Sequence, residues 1–203
     1  KFSSQMVDSN DLEMLSVLLL LFTRWLEVET DFISVFGVAC SQMHKIGQRL
    51  LEDQKYWQEI STLTVTLKFV QDCEIVKSDD IQSTTLKLQE SLATKHILGE
   101  LVACYLKDKT EYRNYARKIL TTLGRRSTIY LINQLMHSTD KNTRLMLVKL
   151  IPGAGISIVP ILTDCLQKNP PWFVIRNIIF YLSPDLGTIT ARSRLHCGLC
   201  LMS

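Results

Sequence analysis

The chain has 203 residues, of which 46% are hydrophobic and 21% charged, with a formal net charge of +3. That length suits one or two globular domains or one extended repeat array, and the composition excludes an intrinsically disordered chain. Eight glycines and five prolines are too few for the many tight turns of an all-β sandwich, so the balance leans helical.

The small net charge hides a division. Residues 1–80 carry 7 Lys and Arg against 13 Asp and Glu, a net of −6. Residues 81–203 carry 16 against 7, a net of +9. An acidic half beside a basic half suits an oriented partner or a self-assembly contact, and it lacks the uniform basicity of a dedicated nucleic-acid binder.

Apolar residues recur at three- and four-residue spacing through most of the chain, which predicts a string of helices. The stretch "SNDLEMLSVLLLLFTRWLEVE" opens on cap residues Ser9, Asn10 and Asp11 and reads as the first helix. Its run Leu15 to Phe22 is too short to span a bilayer, so it is expected to be a buried helix. "TDFISVFGVACSQMHKIGQRLLED" follows, with Thr30 or Asp31 as the expected cap. "KYWQEISTLTVTLKFVQDCEIV" is the third helix; its "TVTLKFV" is β-branched but has no strand partner nearby. Two more helices are predicted at Asp80–Ser91 and Thr94–Leu106.

From residue 110 the sequence becomes self-similar. "YRNYARKILTTLG" (112–124), "TRLMLVKLIPGAG" (143–155) and "IRNIIFYLSPDLG" (175–187) each place an arginine second: Arg113, Arg144 and Arg176. Six residues later stands Ile119, Leu150 or Leu182, and eleven later Gly124, Gly155 or Gly187. Pro152 and Pro184 share a further position, and the copies are spaced 31 and then 32 residues apart. Positions +2, +3 and +6 from each arginine predict the apolar stripe of one helix, and the glycine permits the turn that ends it. After Gly124 and Gly155 a second helix follows, with Leu131 and Leu135 or Leu162 and Leu166 at matching offsets. Each unit holds too little core to stand alone and must stack on its neighbours.

An αα-hairpin of this length, with Arg early in the first helix and a closing glycine, resembles HEAT repeats (armadillo-like), particularly the short bacterial kind. "PPWFVIRN" is similar to stretches of bacterial HEAT-repeat proteins of unassigned role. The resemblance is clearest over 110–187 and extends in degenerate form to residue 80. Tetratricopeptide repeats compete, but their aromatic and glycine positions in the first helix are missing. The resemblance implies an all-α superhelix, or solenoid, of stacked antiparallel hairpins. Three segments are expected: an irregular helical part (1–79), the HEAT-like repeats (80–187), and a frayed or truncated end (188–203).

Catalysis needs a convergent set of groups, and none is legible. GxSxG, P-loop, HExxH and GxGxxG patterns are all missing, and His44, His96, His137 and His196 fall on different predicted helices. No cofactor is expected. Four of six cysteines lie singly in apolar runs, as small buried thiols of a reducing, cytoplasmic setting would. "HCGLC" (196–200) has ligand spacing but no second pair, so no metal is expected. Asp140, Asp164 and Asp185 are expected at caps or helix ends.

The candidate partner-binding residues are therefore Trp172, Arg176, Arg144, Arg113, Arg125 and Arg126. Recurrence favours a structural role for the repeated arginines, in which a guanidinium satisfies carbonyls or a carboxylate of the adjacent repeat. Trp172 lies four residues before Arg176, where the two could stack at the repeat junction, and both types are enriched at binding hot spots. Arg125 and Arg126 join Arg113, Arg117, Lys118, Lys107 and Lys109 in the densest basic region. The expected function is a non-catalytic scaffold or adaptor binding another protein, with no membrane contact. The alternative is nucleic-acid binding through the basic half, in its specific form a HEAT-type alkylpurine DNA glycosylase; its weakness is the missing aromatic-plus-carboxylate pocket.

Overall fold

The computed structural model describes residues 11–31, 34–72, 77–107, 111–151 and 159–182. The expectations for Gly155, Gly187, Pro152, Pro184, Asp185, Cys73 and residues 188–203 lie outside that set. The described residues form ten α-helices and no β-strand. The chain divides into two compact units, Lys1–Tyr130 and Leu131–Ser203.

In the first unit, α1 (Leu12–Val28) starts where Asp11 accepts hydrogen bonds from the amides of Glu13 and Met14, at 3.0 and 3.2 Å. That satisfies amides the first helical turn leaves orphaned. Leu15, Leu19, Thr23 and Leu26 form its buried stripe. α2 (Phe36–Leu51) begins at Val35 with no side-chain cap, so neither Thr30 nor Asp31 starts it. Asp31 precedes the helix by too many residues for its carboxylate to reach the first-turn amides. Phe36 is instead held by burial, its ring 5.2 Å from that of Trp25.

A short 3-10 turn, Gln54–Tyr56, feeds α3 (Trp57–Asp72). Trp57 is 1% exposed, and its indole N–H donates to the Leu51 carbonyl at 3.0 Å. "TVTLKFV" is helical as expected: with Ile60, Leu63, Leu67 and Val70 buried at helical spacing, burial overrides β-propensity. Each such side chain contributes roughly 1.5–3 kcal/mol of transfer free energy. α4 (Asp79–Leu92) is capped by Ser78 and joined through Ala93 and Thr94 to α5 (Lys95–Lys107). α6 (Glu111–Thr122) and α7 (Gly124–His137) complete the pattern, and the boundary between the two units falls inside α7.

Side-chain pairs fix the direction of the packing. Lys55, just ahead of α3, meets Glu13 at 2.8 Å, and Thr66 donates to Glu27 at 3.1 Å, so α1 and α3 run parallel. Tyr115 donates to Gln58 at 3.1 Å and Thr122 to Thr64 at 2.8 Å, so α6 runs parallel to the first half of α3. α2 packs on α4, where His44 meets the Ser91 hydroxyl at 2.8 Å. Gly47 permits the close approach, since a Cβ there would lie 2.9 Å from Leu92 Cδ2. Gly124, with φ +70°, turns the chain between α6 and α7 beside Gln89 of α4.

The second unit contains the later turns of α7 with α8 (Lys141–Val148), α9 (Val159–Leu166) and α10 (Trp172–Leu182). Asp140 caps α8, accepting from the Thr143 amide at 2.6 Å. That bond to the ionised form holds the Asp140 carboxyl below its usual range. Asp164 lies in the last turn of α9, where no orphan amides exist, so it caps nothing. After α9 the chain reverses through Asn169 at φ 48°, a conformation asparagine tolerates, followed by Pro170 and Pro171.

Candidate functional site

The repeated arginines fall in two environments. Arg144 of α8 is half-buried and donates to the carbonyls of Ser138 and Thr139, at 3.1 and 2.7 Å. Its guanidinium also stands 4.6 Å from the centre of the Phe173 ring. It thus ties the carbonyls that follow α7 to α10 within the second unit, by charge-assisted hydrogen bonds and a cation–π contact. Arg113 of α6 is half-buried over the Tyr105 ring of α5, at 5.2 Å. Arg176 of α10 is exposed.

The ring that meets an arginine in "PPWFVIRN" is therefore Phe173, not Trp172. Trp172 is the first residue of α10 and is 71% exposed. Arg176 lies on the same helix face one turn on, and Ile179, 54% exposed, follows it. Ile179 occupies the +3 position of its repeat, which Ala116 and Leu147 bury in the other two copies. The repeat pattern predicts it inside; α10 turns it outward.

Arg125 and Arg126 lie exposed in the first turn of α7, where cations oppose the helix dipole. Arg126 is drawn to α4, donating to the Glu90 carbonyl at 3.1 Å and standing 3.9 Å from its carboxylate. Arg117 and Lys118 are exposed on the neighbouring α6. Four cations thus gather within ten residues around the Gly124 turn.

A second exposed feature was invisible as such in the sequence. On α1, Val17, Leu21 and Val28 are 56, 62 and 75% exposed and share one face. The expectation that the run Leu15 to Phe22 is a buried helix is corrected in part: it is helical, but only the face of Leu15, Leu19, Thr23 and Leu26 is covered. Where nearly every position of a run is apolar, periodicity cannot mark which side faces inward.

His44, His96 and His137 have local partners. The Ser91 hydroxyl that meets His44 donates to the Leu88 carbonyl at 2.7 Å, so its proton is committed within α4. Burial lowers the His44 pKa. Nδ1 of His137 donates to the Asn133 carbonyl at 2.7 Å, and exposed His96 sits 3.6 Å from Glu100. Cys40, Cys104 and Cys165 are buried thiols. Among the described residues no three His, Cys, Asp or Glu side chains are grouped to hold a metal ion. His196, Cys197 and Cys200 lie outside those residues.

Two open clefts, of about 460 and 620 Å³, flank α5. The first is lined by Glu52, Gln54, Trp57, Cys104 and Lys107, the second by Lys95, His96, Gly99 and Tyr130; Glu100 and Ala103 border both. Among the described residues no helix is long and apolar enough to cross a membrane. No protein-family model, curated protein or solved structure matches this chain.

Proposed function

We propose that this chain is a non-catalytic α-solenoid scaffold of the HEAT type that binds another protein along its helical surface. The order of the helices in the first unit supports the solenoid. α1, α3 and α6 run parallel and α2 packs on α4, the arrangement that stacked helical hairpins produce. The binding function rests on one observation: Trp172, with Ile179 and Arg176, forms an exposed aromatic, aliphatic and cationic stripe on α10. An indole left 71% exposed on a helix is the composition of an interface anchor.

The test compares the native chain with Trp172→Ala/Arg176→Ala as baits in cell extract, quantifying every bound protein. At least one protein is expected to be captured by the native chain and lost from the variant, with the urea midpoint unchanged. Equal recovery of all proteins by both baits sinks the reading.

Nucleic-acid binding is the second reading, and the exposed Arg117, Lys118, Arg125 and Arg126 favour it. Its signature is retention on a DNA column at low salt that weakens in Arg125→Ala/Arg126→Ala; no retention of the native chain rejects it. A glycosylase form requires in addition release of a base from alkylated DNA.

A further inference from the structure

We draw no further inference here: the strongest candidate, the exposed apolar face that Val17, Leu21 and Val28 form on α1, carries none because nothing in the structure shows what covers it.

Discussion

The ammonium of Lys77 lies 2.6 Å from the carbonyl oxygen of Glu29, 48 residues earlier in the chain. It also donates to the carbonyls of Leu26 and Glu27, at 2.8 and 3.2 Å. These are acceptors that the last turn of α1 cannot satisfy within the helix. Lys77 is only 4% exposed, so one buried cation closes the C-terminus of α1 and favours its negative dipole end. Lys77→Met leaves the carbonyls buried and unmatched, and a loss of about 2–3 kcal/mol in urea unfolding is expected. A loss below about 0.5 kcal/mol would contradict the clamp.

Gly47 is the narrowest point between α2 and α4. Gly47→Ala forces its methyl to within 2.9 Å of Leu92 Cδ2 and is expected to cost about 1–3 kcal/mol. In Gly47→Ala/Leu92→Ala the new methyl enters space the leucine has left. The double variant should therefore lose less than the sum of the two single losses, as a denaturation cycle would reveal. Strict additivity would place the two residues out of contact.

The repeated arginines should separate by environment. Arg144→Ala removes two carbonyl hydrogen bonds and the Phe173 contact, and about 1–2 kcal/mol of stability with them. Arg176→Ala, exposed on α10, should stay within about 0.5 kcal/mol of the native chain. Thermal unfolding of the two variants side by side decides; equal losses would mean that position alone, not the partner, sets the role.

His44 makes one part of the stability depend on pH. Burial lowers its pKa from the ordinary 6.5, so the unfolded chain takes up the proton more readily than the folded one. The contribution is present above about pH 6.5 and is lost as pH falls through the folded value. Between about pH 7.5 and about pH 5 the native chain should lose more stability than His44→Gln, measured as urea midpoints. Parallel losses would remove His44 from the account.

Cys40 should be chemically silent in the folded protein. Burial pushes its thiol up to about 11, so only about one molecule in a thousand carries the thiolate at pH 8. Labelling by a thiol-reactive dye at that pH should require urea. Rapid labelling of Cys40 in the folded state would show that the α2 packing opens readily.

Local chemistry was legible in the residue order. Asp11 and Asp140 read as caps because short carboxylates before an apolar periodic run find free amides, and both do. Gly124 read as a turn because its place between two apolar stripes demands a conformation other residues resist, and its φ is +70°. The helices around those signals follow from three- and four-residue spacing alone.

The partnerships belong to the tertiary structure. Nothing near Lys77 in the sequence announces the end of α1, and nothing near Arg144 distinguishes Phe173 from Trp172 as its ring. Those choices depend on contacts 29 to 51 residues apart along the chain, set by how helices of similar composition pack. The run Leu15 to Phe22 makes the same point for the candidate surface. Its sequence determines a helix, but Ser16 is its lone polar residue, so only packing against α2 and α3 decided that Leu19 is inside and Leu21 outside.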